Sequence, residues 1–419
     1  MPSVPVDSRF SCIIMEEETA ADPHIVSGEG KMKILMASDC YTFQTGGVTN
    51  AILSLENGLR REGCQVKVLA LSDTNRSRKD GENFYIRSRR FPDYPEHRIS
   101  FAFHDPLLDE LAAWKPDIVH IHTEATMGMM AKSIAKKVHA PVVMTTHTDY
   151  EYFMFGRFRG NPAVRAAAKV IGKRVYRQAE KVIVPAEKAR SFPHLLPVAD
   201  KVTVIPNGIQ AERYRINVSP QEKSALFRQY GLQDNGYTLV MITRLSREKN
   251  IIEILQYLPA LLDRLPEAQL LIVGEGPDRK RLETFCTKNR LTEHVRFTGR
   301  IPPDEVYRYY HMGQVFVSAS TFELHSMSYL EAMVCGLPLV CRDDASLIGV
   351  LNDGENGYIY TNREGFINAV CSILQDSTLR DRMSEKALLQ AEANSDRRFV
   401  QRTLELYRSV LASWEKTEG

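Results

Sequence analysis

Short apolar runs alternate along this chain with longer stretches of helical spacing. Residues 34–37 form an apolar run of strand length, and Val48, Ile52, Leu55 and Leu59 then fall on one helical face. Residues 66–71, 118–121, 142–145, 182–184 and 202–205 read as further strands, with helical patterns between most of them. Pro206-Asn207-Gly208 is a strong turn signal, and after it the alternation restarts. Residues 238–242, 270–273, 295–297, 315–317, 339–341 and 358–360 are the strands of this second series. Strands that alternate with helices predict parallel sheets with crossover helices. The fold class is therefore α/β, two Rossmann-like parallel-sheet domains in tandem that face a cleft.

We divide the chain into an acidic, flexible leader (1–30), a first domain (31–210), a second domain (211–395) and a terminal segment (396–419). Val400, Leu404, Tyr407, Leu411 and Trp414 have helical spacing in the last of these, which is expected to pack back on the first domain.

Composition narrows the classes. The chain has 419 residues, 43% apolar and 25% charged, with a mean hydropathy of −0.28. No run approaches the roughly 18 apolar residues of a membrane span, which excludes a polytopic membrane protein. The seven cysteines are odd in number and contain no C-x-x-C pair. Several sit in apolar runs, as in Leu339-Val340-Cys341, and read as reduced thiols used as small hydrophobes. A disulfide framework and a zinc site are excluded on that basis. Net charge is only +2, but it is unevenly spread: residues 1–30 carry −5, residues 31–205 carry +9 and residues 206–419 carry −2. The basic half is the one that bears on partners.

In open α/β sheets, ligands bind beyond the carboxyl ends of the strands. Gly46-Gly47 opens a helix after the first strand, where amides favour an anion; a tight turn is an equal reading. His147 lies in the polar cluster Thr146-His147-Thr148-Asp149-Tyr150 straight after a strand. His120 and His122 alternate on one strand face and, lacking a third ligand, read as structural histidines. In the second domain Arg244 and Lys249 follow the first strand and could both point at a diphosphate. Gly274-Glu275-Gly276-Pro277 follows the next strand, and Gly299-Arg300 the one after. Glu323 and Glu331 stand eight apart, the first in a loop and the second at the start of a helix that carries Met333. They are expected to contact different parts of one elongated ligand; interaction with the helix dipole is the simpler alternative.

Together these elements resemble glycosyltransferase family 4, of GT-B fold, over about residues 33–415. The resemblance rests on Glu-x7-Glu at Glu323 and Glu331, on "TRLSREKN" at 243–250 and "VIPNGI" at 204–209. "LIVGEGPDRKRLE" at 271–283, "VRFTGRIPPDEV" at 295–306 and "EAMVCGLPLV" at 331–340 add to it. It implies that Gly46 and Gly47 lie near the donor phosphates and acceptor, and that His147 contacts the transferred sugar. Arg244 and Lys249 would neutralise the diphosphate, Glu323 would bind sugar hydroxyls and Glu331 the ribose. Gly274, Ser326 and Met327 would belong to the same donor site, and the loop of Arg300 would hold the base. The resemblance further implies retention of anomeric configuration, catalysis without a metal, and no cofactor beyond a UDP-sugar donor substrate. The chain agrees in having no Asp-x-Asp. It departs from the family at Leu324, where a small residue is usual, and at Ser326, where glycine is usual.

"THTDYEYF" at 146–153 and "ELHSMSYLEAM" at 323–333 look most like the Gram-positive enzymes that glucosylate diacylglycerol. Residues 157–178 carry Arg157, Arg159, Arg165, Lys169, Lys173, Arg174 and Arg177 and no acid, a pattern that reads as a membrane-surface element. A solvated helix face is the alternative. The expected partners are a nucleotide sugar, a lipid acceptor and an anionic membrane surface, with no nucleic acid. The expected location is the cytosolic membrane face. A polyprenyl-linked saccharide or phosphatidylinositol is the alternative acceptor, and a UDP-sugar epimerase the alternative of another class.

Overall fold

A computed structural model describes residues 31–41, 47–91, 94–147, 176–192, 195–234 and 236–418. The first sheet contains β1 (Lys33–Ser38), β2 (Gln65–Leu71), β3 (Arg78–Asp80), β4 (Asn83–Ile86), β7 (Ile118–Ile121), β8 (Val142–Thr145), β9 (Lys181–Val184) and β10 (Val202–Val204). They lie in the order β10-β9-β8-β7-β1-β2-β4-β3. The second sheet orders β11 (Thr238–Ile242), β12 (Gln269–Val273), β13 (Val295–Phe297), β14 (Val315–Ser318), β15 (Leu339–Arg342) and β16 (Gly357–Tyr360) as β13-β12-β11-β14-β15-β16. Every pairing in the second sheet is parallel, and so is every one in the first except β3 with β4. Both domains are thus the Rossmann-like parallel sheets expected from the alternation.

The pattern missed four elements. β3 and β4 extend the first sheet at one edge, and β5 (Arg89–Phe91) pairs antiparallel with β6 (Tyr94–Ile99) as a separate hairpin. β3, β5 and β6 are rich in Arg, Lys and His, so no apolar run announces them.

Parallel strands are covered on both faces and become apolar throughout. On one face of the first sheet, Leu35, Leu69, Val119 and Met144 pack with the helices Pro106–Ala113 and Thr126–Val138. On the other, Ile34, Met36, Val68 and Val143 meet the helix Gly47–Arg61 and Phe399, Val400, Leu404, Tyr407 and Val410 of the helix Asp396–Glu418. This terminal helix is fastened by polar bonds as well: the Tyr407 hydroxyl lies 2.6 Å from His120 Nδ1, and Arg61 pairs with Asp396.

The chain passes between the sheets twice, side by side. Ile209 donates its amide to Asn394 at 3.0 Å, and Asp396 donates back to Ile209 at 3.1 Å. A Cβ on Gly208 would fall 2.5 Å from the Asp396 Cα, so the close approach of the two crossings requires glycine.

Candidate active site

In the second sheet the first strand, β11, is central: the chain winds outward through β12 and β13, then returns to the other side at β14. The loops after β11 and β14 therefore leave the sheet in opposite directions and open a crevice between them. Arg244 and Lys249 come from the first loop, and Glu323 from the second. Arg244 is exposed, and its side chain makes no hydrogen bond or ion pair among the described residues; only its carbonyl is engaged, accepting from the Ser246 amide at 3.0 Å. Lys249 ends a short 3-10 helix, Arg247–Lys249, and its ammonium contacts the Glu323 carboxylate. The two side chains are 22% and 14% exposed, so this ion pair is shielded from solvent on most sides.

The floor beneath them is main chain. Thr243 donates to Val273, Leu245 to Glu275 and Asp278 to Leu245, each at 3.0–3.1 Å, while Gly274 donates to Gly299 at 3.0 Å. The loops after β11, β12 and β13 are joined through Gly274, whose φ is +139°. A Cβ there would sit 1.9 Å from the Thr243 carbonyl oxygen. Gly274 thus has a packing reason to be glycine, independent of any ligand. Arg300 is exposed on the neighbouring loop and lies within electrostatic range of Glu275.

The helix Met327–Val334 starts at Ser326, which is extended and caps nothing with its side chain; its hydroxyl lies 3.1 Å from that of Ser328. This helix meets the start of the helix Gly47–Arg61 from the first domain: a Cβ on Gly47 would lie 3.4 Å from Met327 Cγ. Two helix N-termini, one from each domain, converge beside the Lys249–Glu323 pair's loop, an arrangement suited to an anion. Gly46 lies outside the described residues.

Glu331 was expected at the start of its helix; it stands in the second turn, because the helix begins at Met327. It is buried and accepts from the Tyr310 hydroxyl at 2.7 Å. Tyr214 and, from the first domain, Asn50 also bond its carboxyl. Burial raises its pKa above the usual carboxylate value, and these hydrogen bonds oppose the shift.

The first sheet also has its reversal at its first strand, between β1 and β7. Beyond these strand ends lie Asp39, His122 and Glu124, and beyond β8 lies His147. Asp39 accepts from the hydroxyls of Thr123 and Thr126, each at 2.7 Å. Glu124 accepts from the Tyr176 hydroxyl. Burial raises the pKa of both carboxyls. His147 Nε2 lies 3.2 Å from His122 Nδ1, with the rings stacked. Burial lowers the pKa of His147 to about 4, so it is a neutral imidazole near pH 7.

The two structural histidines divide. His120 is satisfied at both ring nitrogens, by Tyr407 and Thr145. His122 is not: its Nε2 is buried with no hydrogen-bond partner among the described residues, and its other nitrogen faces His147. It belongs with the candidate site, contrary to the expectation. Asp39, Glu124 and Tyr310 were also missed; Asp39 directly follows β1 and Glu124 stands three residues past β7, and position beyond a strand end is the one signal that would have found them.

The domains touch at Leu324, which packs against the core of the first domain, and at Lys188, whose ammonium lies 2.7 Å from both carboxylate oxygens of Asp344. Where the family tends to have a small residue, this chain has an apolar contact across the cleft.

Of the seven basic residues read as a membrane element, Arg157, Arg159, Arg165, Lys169, Lys173 and Arg174 lie outside the described residues. Arg177 is described and exposed, and its carbonyl accepts from Lys201 at 3.2 Å. Among the described residues no helix is long and apolar enough to cross a membrane, and no group of three or more His, Cys, Asp or Glu could hold a metal ion. The six described cysteines are unpaired.

Residues 45–213 match the family described as Glycosyltransferase Family 4, and residues 222–390 match Glycosyl transferases group 1. Among curated proteins, the chain is 26% identical to an alpha-monoglucosyldiacylglycerol synthase of Acholeplasma laidlawii, over 85% of this chain and 92% of the relative. It is 27% identical to the enzyme of the same name from Streptococcus pneumoniae, over 82% of this chain and 78% of the relative. Among solved structures, Alr3699/HepE of Anabaena in complex with UDP-glucose superposes with a TM-score of 0.69 at 18% identity, covering 90% of this chain and all of that one. Sucrose-phosphate synthase of Thermosynechococcus elongatus gives 0.71 at 19% identity, covering 91% of this chain and all of that one.

Proposed function

This chain belongs to the family 4 glycosyltransferases and has their GT-B fold, and on that premise we propose that it transfers a hexose, glucose, from UDP-glucose to 1,2-diacylglycerol. The acceptor hydroxyl oxygen forms a bond to the anomeric carbon while the bond from that carbon to the diphosphate breaks. The hydroxyl proton leaves with the departing UDP, and the new bond takes the configuration of the old one. No metal takes part.

The observation that carries this reading is the grouping at the crevice of the second sheet. Arg244 and Lys249 stand on one side and Glu323 on the other, with the two helix N-termini at Gly47 and Met327 beside them. Charge builds on UDP as it leaves, and two cations together with helix N-terminal amides stabilise that charge more in the transition state than before it. We assign the sugar hydroxyls to Glu323, as their acceptor. Glu331 serves the ribose, held by Tyr310. His147, being neutral, serves as a hydrogen-bond partner of the sugar and not as an acid. Arg300 lies on the loop we assign to the base.

The names of the two synthases support a lipid acceptor. Such an acceptor stays in the bilayer, so the enzyme must reach it there. We assign docking to the basic segment 157–177, at a cytosolic, anionic membrane face. Phe101 (76% exposed), Phe103 and Met129 add exposed apolar side chains on the same domain.

The test is a donor-by-acceptor screen with purified protein, lipid vesicles and mass spectrometry of the lipids. A glucosylated diacylglycerol made from UDP-glucose is the expected product. An epimerised sugar nucleotide formed without any acceptor would favour the epimerase instead.

A further inference from the structure

Glu323 is gripped from both domains. Its carboxylate meets Lys249 of the second domain, and its main-chain carbonyl accepts from Lys188 of the first at 3.2 Å. The same Lys188 ammonium donates to the Thr321 carbonyl at 3.1 Å and to both oxygens of Asp344 at 2.7 Å. No main-chain donor among the described residues reaches either carbonyl, so Lys188 is the donor that ties these two carbonyls, in a loop that Leu324 also anchors by its apolar contact with the first core.

Both ends of the contact are rigid. Lys188 lies in the 3-10 helix Glu187–Ser191 directly after β9, and its neighbour Ala189 is fully buried in the first core. Asp344 follows β15, and its Oδ1 accepts from the Ser346 amide at 2.9 Å, which fixes the carboxylate. Lys188 and Asp344 are 22% and 11% exposed, so the pair is mostly shielded. An ammonium offers three donors, and here four oxygens surround it. Asp344 supplies the charge that makes a lysine tolerable at this depth, and the two carbonyls take the remaining directionality.

We propose that Lys188 is a positioning residue: it couples the approach of the two domains to the shape of the loop that carries Glu323, so the sugar subsite is complete only when the domains are together. The inference rests on the reading of Glu323 as the donor-sugar contact. Arg244, Lys249, Glu331 and the Gly274 floor, which carry most of the UDP contacts in that reading, belong to the second domain, so UDP recognition should depend little on the latch.

The variants are Lys188→Met, Asp344→Asn and the two combined, each checked for unchanged thermal unfolding. Three readouts apply: kcat/KM for UDP-glucose with diacylglycerol vesicles, calorimetric Kd for UDP, and hydrogen exchange of the 319–326 amides. Each single variant is expected to lower kcat/KM by roughly 30-fold, the scale of a lost charge-assisted hydrogen bond. UDP affinity should stay within about threefold, because a positioning loss falls on the transition state. The double variant should be no more than about threefold worse than the poorer single one, since both substitutions break one unit. Exchange at 319–326 should rise at least about tenfold in Lys188→Met, with the sheet amides unchanged.

Unchanged exchange in that loop, additive losses, or UDP affinity falling in step with kcat/KM would each overturn the assignment. If the unsubstituted enzyme turns over no UDP-sugar, the proposed function fails by itself, and loop exchange still decides the role of Lys188.

Discussion

Replacing Glu323 by glutamine should make the protein bind UDP more tightly while it transfers sugar more slowly. Lys249 is engaged by the Glu323 carboxylate, and an incoming diphosphate must take that ammonium over. With 22% and 14% of the side chains exposed, the pair lies between an open surface bridge and a buried one. Exposed pairs are worth about 0–1 kcal/mol and broken buried pairs cost about 3–5 kcal/mol, so about 1–2 kcal/mol is a reasonable span here. Glutamine keeps the size and one acceptor oxygen but removes the charge that competes with phosphate. About 1 kcal/mol returned to the diphosphate is about a fivefold lower Kd for UDP. The sugar loses a charged acceptor at the same time, and kcat/KM for UDP-glucose should fall by about 10- to 100-fold. Lys249→Met should do the reverse for UDP, weakening it. Calorimetry of UDP with the three proteins at low and high salt measures the first effect, and the gain should shrink as salt screens it. Weaker UDP binding in Glu323→Gln, or unaltered binding in Lys249→Met, would refute the competition and with it the roles given to both residues.

Burial holds His120 at a pKa of about 3 and His147 and His325 at about 4. Each protonates near 6.5 only when the chain unfolds, so stability is full above that pH and is lost as pH falls towards 4. At pH 5 each contributes a loss of roughly 2 kcal/mol, and a Tm that stayed flat from pH 7 to 5 would contradict it. Gly274→Ala places a methyl against the Thr243 carbonyl at a positive φ; we expect several degrees lower Tm together with weakened UDP binding, checked by thermal unfolding and calorimetry. Reversing Arg165, Lys169, Lys173 and Arg174 to Glu should abolish co-sedimentation with anionic vesicles, where each near-surface charge is worth about 1 kcal/mol. UDP affinity should be untouched; sedimentation equal to that of the unsubstituted protein removes the basic segment from docking.

Much of this molecule is written locally. A parallel strand covered on both faces is a near-continuous apolar run, so β1, β8, β11 and β12, and β7 despite its His120, can be read off as such. Their order in the chain implies two sheets, and the rule that ligands sit beyond the strand ends marks His147, Arg244, Lys249 and Glu323 for attention. The edge of the first sheet is not legible, because β3 has all three residues exposed and needs no apolar pattern. Histidines two apart share a face, but whether each is satisfied depends on what arrives from elsewhere. Tyr407, from a helix 287 residues on, satisfies His120, while His122 is left facing His147. The same holds for Lys188 and Asp344, 156 residues apart. A lone lysine after one strand and a lone aspartate after another carry no periodicity and no motif. Only the packing of two domains makes them a pair, because an ion pair is a property of distance in space and sequence patterns record distance along the chain.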